Sequence, residues 1–381
     1  VTATPAGAAA PARPIDVVIT GGGTGGHTSP GLAVAAALRD RGATCAWIGS
    51  RHGVEARLVP DRGIPYFAIP TGKLRRYWAW QNVADLGVNV PAAVVAAWRL
   101  LRRLRPRVVF AAGGFVALPV VTAAAMSRVP SVIHEQTAVP GLANRVAARL
   151  ARRIAVTFPD RDGCFPADRV VVTGNPLRPE LRDGSWADVT KHFGLEPGLP
   201  LVYVTGGALG AQRINRAVGE ILPGLLQHAQ VIHQCGDNPA TGDRAWLEDR
   251  RAALGDPLAR RYVVVPFVGT ELGGVYAAAS LVIGRSGAGT VNECCQLGIP
   301  ALYVPLPGTS GDEQTANARQ VERAGGAVLL PQSALTPDRL LATVLPLLAD
   351  PDRLATMRDR ARSLAVPDAA ARIVRLLLEG P

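Results

Sequence analysis

Short apolar runs rich in β-branched residues recur along this chain, each ending in glycine or polar loop residues and followed by a helix-like stretch. Runs that are apolar throughout, without alternation, mark strands buried on both faces of a parallel sheet. Residues 15–20, 44–49, 108–112 and 131–134 predict such strands in the first half, and 201–205, 281–284 and 301–305 predict them in the second. Helical spacing shows where Val94, Val95, Trp98, Leu101 and Leu104 recur, with Arg99, Arg102, Arg103 and Arg105 alongside. Strands alternating with helices in this way predict an α/β chain of parallel sheets.

The loops carry the chemistry. Strand 15–20 runs into Gly21, Gly22, Gly23, Thr24, Gly25, Gly26 and then His27. Glycines turn tightly and let backbone N–H groups approach a ligand. Ser29 is placed to cap the following helix and Pro30 to open it. A strand, a glycine loop and a helix N-terminus together form an anion site. The glycines also spell Gly21-x-Gly23-x-x-Gly26, which allows a dinucleotide reading. That reading wants an acid at the end of the second strand to hold a ribose. The second strand ends instead in Ser50 and Arg51, so only an NADP variant using Arg51 stays open. His27, near the positive end of a helix dipole, is favoured as a neutral ring that can accept a proton. The plainer alternative is a histidine that only hydrogen-bonds its loop.

The device returns at 201–205, followed by Gly206, Gly207, Ala208, Leu209 and Gly210. Two copies so far apart predict two doubly wound domains, 15–174 and 175–366, with Pro176 and Pro179 punctuating the boundary. Domains paired in this way leave a cleft in which ligands usually bind. Further loops follow the predicted strands: Gly113 and Gly114 after 108–112, and Glu135, Gln136 and Thr137 after 131–134. After 281–284, the residues Arg285, Ser286, Gly287, Ala288, Gly289 and Thr290 open a helix that contains Glu293 and stops at Gly298. Gly287 and Gly289 let a diphosphate reach that helix end, and Thr290 adds a hydroxyl. Glu293, one turn inside, can accept from both hydroxyls of a ribose. Gln314, which begins the next helix, offers a donor and an acceptor to a sugar. The set describes a nucleoside diphosphate-sugar site, with helix stabilisation by Glu293 and capping by Gln314 as the plainer alternatives.

Composition narrows the class. The 381 residues are enough for two domains, and 48% hydrophobic content supplies their cores. Five cysteines without metal-ligand spacing argue against a disulfide framework and fit a reducing cytosol. No His/Asp/Glu cluster has metal spacing either. No run approaches the ~20 apolar residues of a membrane span, and residues 1–14, rich in Ala and Pro, read as a disordered tail. The net charge of +11 is uneven: residues 1–174 hold 21 Lys and Arg against 9 Asp and Glu, and the remainder holds 20 against 21. The first half therefore expects an anionic partner. Lys73, Arg75, Arg76, Trp78 and Trp80 crowd one short stretch, and together with the 94–105 helix they suit an anionic membrane surface. A solvated, arginine-rich face is the alternative. No aromatic platform for nucleic acid is present, so none is expected as a partner.

Gly22–Gly26 with His27, Pro30 through Val34, His134-Glu135-Gln136, Gly174-Asn175-Pro176-Leu177-Arg178, Gly206-Gly207, Arg285-Ser286-Gly287-Ala288 with Thr290 and Glu293, and Gln314 with Asn317 and Ala318 occur in one order. That combination resembles the MurG family, N-acetylglucosaminyltransferases that complete the lipid-linked disaccharide-pentapeptide precursor of bacterial peptidoglycan. The resemblance implies a GT-B glycosyltransferase fold, in which the second domain binds UDP-N-acetylglucosamine and the first binds lipid I at the membrane. It also implies that a C-terminal helix at about 367–381 packs back on the first domain. Family donor positions fall on Thr24, Gly25, Gly26, Arg178, the backbone near Val268, Ala288, Gly289, Thr290, Glu293 and Gln314. Thr137 and Ala208 stand where the family often has Asn and Ser. Losing the serine hydroxyl removes a hydrogen bond worth about 0.5–1.5 kcal/mol while leaving the N–H. Gly23, Gly113 and Gly114 fall to the acceptor diphosphate, and His27 to the catalytic base.

The implied partners are UDP-N-acetylglucosamine, lipid I, an anionic membrane surface at the cytoplasmic face and other cell-wall synthesis proteins, with no cofactor and no metal. The rivals are another GT-B enzyme such as a lipid glycosyltransferase or a UDP-GlcNAc 2-epimerase, an NADP oxidoreductase, and a membrane scaffold without turnover.

Overall fold

The computed structural model describes residues 14–23, 25–70, 89–160 and 163–380. Thr24 and the stretch carrying Lys73, Arg75, Arg76, Trp78 and Trp80 lie outside the described residues. The chain divides into two compact units, Val1–Arg178 with Val366–Pro381, and Pro179–Ala365.

In the first unit, β1 (Val17–Thr20), β2 (Cys45–Ser50), β3 (Tyr66–Ile69), β4 (Val108–Ala111), β5 (Ser131–Glu135), β6 (Arg153–Val156) and β7 (Val170–Val172) form one sheet. Their order is β3-β2-β1-β4-β5-β6-β7, and every neighbouring pair is parallel. The second unit has β8 (Leu201–Thr205), β9 (Gln230–Gln234), β10 (Tyr262–Val265), β11 (Ala279–Gly284), β12 (Ala301–Tyr303) and β13 (Ala327–Leu329). These are ordered β10-β9-β8-β11-β12-β13 and are again all parallel. In each sheet the first strand lies between the second and the fourth. The chain therefore leaves the C-terminal ends of β1 and β4, and of β8 and β11, in opposite directions. Such a switch point opens a crevice for ligands.

The wholly apolar strands follow from burial on both faces. In the first sheet one face packs Val17, Ile19, Trp47 and Phe110 against Leu38 and against Ile373, Val374 and Leu377 of the C-terminal helix Ala369–Glu379. The other face packs Val18, Ile48 and Val109 against Leu101 and Leu104 of the helix Val90–Leu104. Each large side chain so buried contributes about 1.5–3 kcal/mol.

That second face corrects one expectation. Leu101 and Leu104 are core residues, Val94 and Trp98 are half-buried, and Val95 alone of the apolar series is exposed. A helical apolar stripe is what an uncovered sheet face demands, and the sheet takes it before any membrane can. Arg102 stacks over the Trp98 ring at 5.2 Å. Among the described residues, no helix is long and apolar enough to cross a membrane.

A second correction concerns the first helix, which spans Gly25–Asp40 with Pro30 inside it. Ser29 is therefore not its cap and Pro30 does not open it. The glycines themselves take up the first helical turn, which carries His27 with it.

Candidate functional site

In the first unit the loops after β1, β4 and β5 converge at the switch point. The backbones after β1 and β4 lie against each other. A Cβ on Gly114, at φ +84°, would stand 2.3 Å from the Gly22 carbonyl oxygen, and one on Gly113, at φ +98°, would stand 2.8 Å from His27 Nδ1. Gln136 Nε2 donates to the Ala112 carbonyl at 2.7 Å, tying the β5 loop to the β4 loop. His27 thus sits among three strand ends. Its Nδ1 is buried with no hydrogen-bond partner among the described residues. Burial lowers the imidazole pKa, opposed by the Glu135 carboxylate, the Ala112 carbonyl and Glu55. A neutral, unpartnered ring nitrogen is what a general base requires.

Glu135 is saturated from its own loop. It accepts from Thr137 N at 3.0 Å, Thr137 Oγ1 at 2.7 Å and Asn144 Nδ2 at 2.9 Å. Thr137 Oγ1 also lies 2.7 Å from the Val139 carbonyl, so its hydroxyl serves the loop. His134, fully buried, donates Nε2–H to the Gly174 carbonyl at 3.0 Å, and burial pushes its pKa down to about 4.

The residue that sequence reasoning missed is Glu55. It opens the short helix Glu55–Leu58 and is fully buried. Its carboxylate accepts from Gly23 N at 2.9 Å, Ser50 N at 3.1 Å and Ser50 Oγ at 2.6 Å. The first glycine loop does hold an anion, but the anion belongs to the protein. The Gly23 N–H assigned to an acceptor diphosphate is already engaged. The available signal was an acid five residues beyond Ser50, close to where a dinucleotide fold keeps its ribose acid.

In the second unit the loop after β8 is tied by Gln234 at the end of β9. Gln234 Nε2 donates to the Gly207 carbonyl at 3.0 Å and to Thr205 Oγ1 at 3.2 Å. Its Oε1 accepts from Val268 N at 2.9 Å and Tyr203 OH at 3.1 Å. The Val268 N–H is therefore used internally, and its carbonyl is the polar group it can present to a ligand. Ala208 is exposed, and its carbonyl accepts from Asp237 N at 3.1 Å.

The helix Ala288–Leu297 starts at Gly287 without a side-chain cap. A Cβ added at Gly287 or Gly289 would meet nothing within 4 Å. Uncapped N–H groups facing open space make an anion seat. Glu293, half-buried, accepts from Tyr276 OH at 2.8 Å. Ser286 Oγ donates to the Gln314 carbonyl at 2.7 Å and Asn317 Nδ2 to the Ser286 carbonyl at 3.2 Å, which joins the two helix starts. Gln314 Oε1 accepts from Leu306 N at 3.0 Å, so its amide NH2 is what it can offer a sugar. Arg285 turns to the Val304 carbonyl at 2.9 Å and to Gln332 Oε1 at 2.6 Å, a structural role.

The second unit thus brings Ala288, Gly289, Thr290, Glu293 and Gln314 into one neighbourhood, with Val268 linked to the β8 loop through Gln234. Gly25, Gly26, His27, Gly113, Gly114 and Thr137 belong to the first unit, and so does Arg178, which is half-buried.

Comparison with known proteins agrees with this layout. Residues 17–156 match the glycosyltransferase family 28 N-terminal domain and residues 201–373 its C-terminal domain. A Nocardioides protein named UDP-N-acetylglucosamine–N-acetylmuramyl-(pentapeptide) pyrophosphoryl-undecaprenol N-acetylglucosamine transferase is 42% identical over 95% of this chain and 97% of its own length. The crystal structure of Acinetobacter baumannii MurG aligns with a TM-score of 0.72 at 32% identity, covering 96% of this chain and 100% of that one. Neisseria meningitidis UDP-GlcNAc 2-epimerase, at 14% identity and a TM-score of 0.69 over 96% of this chain and 100% of its own, shares the fold alone. With two domain matches and a full-length relative at this identity, the chain belongs to glycosyltransferase family 28 and, within it, to the MurG family of N-acetylglucosaminyltransferases.

Proposed function

We propose that this chain transfers N-acetylglucosamine from UDP-N-acetylglucosamine to the C4 hydroxyl of N-acetylmuramic acid in lipid I, with inversion at the anomeric carbon, to give lipid II for peptidoglycan synthesis. The observation that carries this reading is the open, uncapped helix start at Ala288 with Glu293 one turn inside, in a chain 42% identical to a named transferase. The diphosphate of UDP lies against the N–H groups of Ala288, Gly289 and Thr290, Glu293 holds the ribose, and the Gln314 NH2 and the Val268 carbonyl orient the donor.

The acceptor oxygen attacks C1 of the sugar as the bond from C1 to the diphosphate oxygen breaks. The neutral His27 imidazole takes the hydroxyl proton, a role typically worth about 10²–10⁴ in rate. Charge developing on the departing UDP is met by the helix dipole and by Arg178. Gly113 and Gly114 remain for the acceptor diphosphate. The basic and aromatic stretch Lys73, Arg75, Arg76, Trp78 and Trp80 seats the enzyme peripherally on anionic lipid at the cytoplasmic face.

The test is incubation with radiolabelled UDP-N-acetylglucosamine and a short-chain lipid I analogue. Label moving into the lipid supports the assignment. Label recovered as UDP-N-acetylmannosamine, or remaining with the donor while the protein binds UDP, overturns it.

A further inference from the structure

We propose that Glu55 is a positioning residue for this transfer, its buried carboxylate standing in the anion seat of the first glycine loop and holding His27 towards the acceptor hydroxyl. The proposal rests on the reading of His27 as the base.

The seat is built around the carboxylate. A Cβ on Gly22 would stand 2.2 Å from the carboxyl carbon and one on Gly53 would stand 2.1 Å from Oε2, so two glycines make room for one acid. Three donors converge on it from Gly23 and Ser50 at 2.6–3.1 Å. Ser50 Oγ in turn accepts from Gly53 N at 2.9 Å, and the Tyr66 hydroxyl bonds to the Ser50 carbonyl. The loop that leads into His27 is therefore anchored to the end of β2 through this one side chain.

A loop clasp does not need a charge. Gln234 clasps the matching loop of the second unit with a neutral amide. Burying a carboxylate instead costs several kcal/mol of desolvation that a glutamine would largely avoid. The charge is useful where a nearby group must accept a proton, because a negative neighbour favours the protonated ring that forms during the reaction. The groups that face His27 are Glu135 at the end of β5, the Ala112 carbonyl after β4, His134 on β5 and Glu55; the first, second and fourth favour protonation, and burial opposes it. A phosphate at Gly23 would meet both an engaged N–H and a like charge, so the acceptor diphosphate is held elsewhere.

The experiment uses the full chain with UDP-N-acetylglucosamine and the short-chain lipid I analogue across pH. Glu55→Gln keeps the volume but removes the charge and turns an NH2 towards an N–H donor. It is expected to lower kcat by about 10- to 100-fold, the scale of a small misplacement of a reacting group. KM for the donor should stay within about twofold, since the helix start at Ala288, Glu293 and Gln314, which seat the donor under the proposed function, lie in the other unit. The acid limb of the rate profile should move to lower pH, a shift that a purely structural lesion would not produce. Wild-type kcat with an unmoved limb overturns the proposal.

If Glu55→Gln fails to bind UDP or to melt cooperatively, Ser50→Ala takes its place. It removes one donor and keeps the charge, and an unchanged kcat in that variant overturns the proposal equally. His27→Ala is run alongside. A wild-type rate there ends the base assignment itself, whereas an inactive His27→Ala beside a wild-type Glu55→Gln ends only the positioning role.

Discussion

The loops after β1 and β8 occupy the same place in two sheets of the same winding, yet they are closed by different chemistry. Glu55, a carboxylate from just beyond β2, closes the first, and Gln234, an amide at the end of β9, closes the second. The neighbouring loops differ in the same sense. After β4, glycine backbone packs on glycine backbone and on the His27 ring, whereas after β11 the glycines face open space. One half has filled its glycine-loop seat with its own Glu55 carboxylate, which stands near His27. The other keeps its clasp neutral and leaves open space around the glycines that open the helix after β11. A shared supersecondary motif therefore does not by itself assign a ligand. What decides is whether the protein's own side chains have already satisfied the loop.

Exchanging the chemistry of the clasps should give the largest effect. Gln234→Glu would aim an oxygen with no hydrogen at the Gly207 carbonyl, where Nε2 now donates at 3.0 Å. Gln234 is 4% exposed, so the new charge would be buried and partly unpaired, a situation that costs about 3–5 kcal/mol. Urea denaturation should show that loss, together with weakened UDP binding by calorimetry. A variant as stable as the parent would mean that the neutral clasp is incidental and that the contrast with Glu55 carries no meaning.

Much of this contrast was hidden in the sequence for a physical reason. Strands β1, β2, β4, β5, β8, β11 and β12 were legible because double burial leaves apolar runs with no alternative use, whereas β3, β6, β7, β9, β10 and β13 were not legible as strands. The helix over Ala288–Leu297 was legible because Gly287 and Gly298 punctuate both ends. The candidate residues Ala288, Gly289, Thr290, Glu293 and Gln314 followed from that helix and the next. Glu55 was not legible, because its partner Gly23 lies 32 residues away in sequence and a lone acid after a strand reads as solvated. Ser29 and Pro30 carried a strong local capping signal, but the glycine run before them entered the helix first. The 94–104 stripe was ambiguous in principle, since a core face and a membrane face need the same spacing.

The two halves can also be compared by acid. Each half buries a histidine within its sheet: His134 on β5, with its pKa lowered to about 4, and His233 on β9, lowered to about 3, both by desolvation. The unfolded chain takes up each proton near the ordinary value of 6.5, so below that pH the unfolded state binds more protons and stability falls. The contribution of each histidine is complete above pH 6.5 and shrinks as the pH drops. By pH 5 each should have lost about 2 kcal/mol, at 1.36 kcal/mol per pH unit. Below about pH 4 the loss from His134 levels off while that from His233 continues. Denaturation at pH 7.5, 5 and 3.5 should show this. His134→Gln, placed to keep a donor towards Gly174, should flatten the acid slope of the first unit alone. An unchanged slope would mean that another group governs the acid lability of that half.

Paired glycine substitutions test the filled and open seats most directly, with the smallest effects. Gly22 has φ +158°, a backbone that L side chains rarely adopt, so Gly22→Ala adds some strain at the main chain. Its methyl would also overlap the Glu55 carboxyl group and force it from its three donors. Stability should fall by about 1–3 kcal/mol, the usual cost of overpacking. Gly289→Ala meets nothing and lies in a helix, where alanine is preferred by up to about 1 kcal/mol, so the melting temperature should hold or rise. The same methyl would stand in the space through which a diphosphate approaches, and UDP affinity should fall about tenfold, or 1.4 kcal/mol. Opposite signs on stability from one chemical change, with ligand affinity lost only where stability is kept, are what a filled seat and an open seat require. If both variants were destabilised alike and both bound UDP normally, neither loop would be the anion site assigned to it.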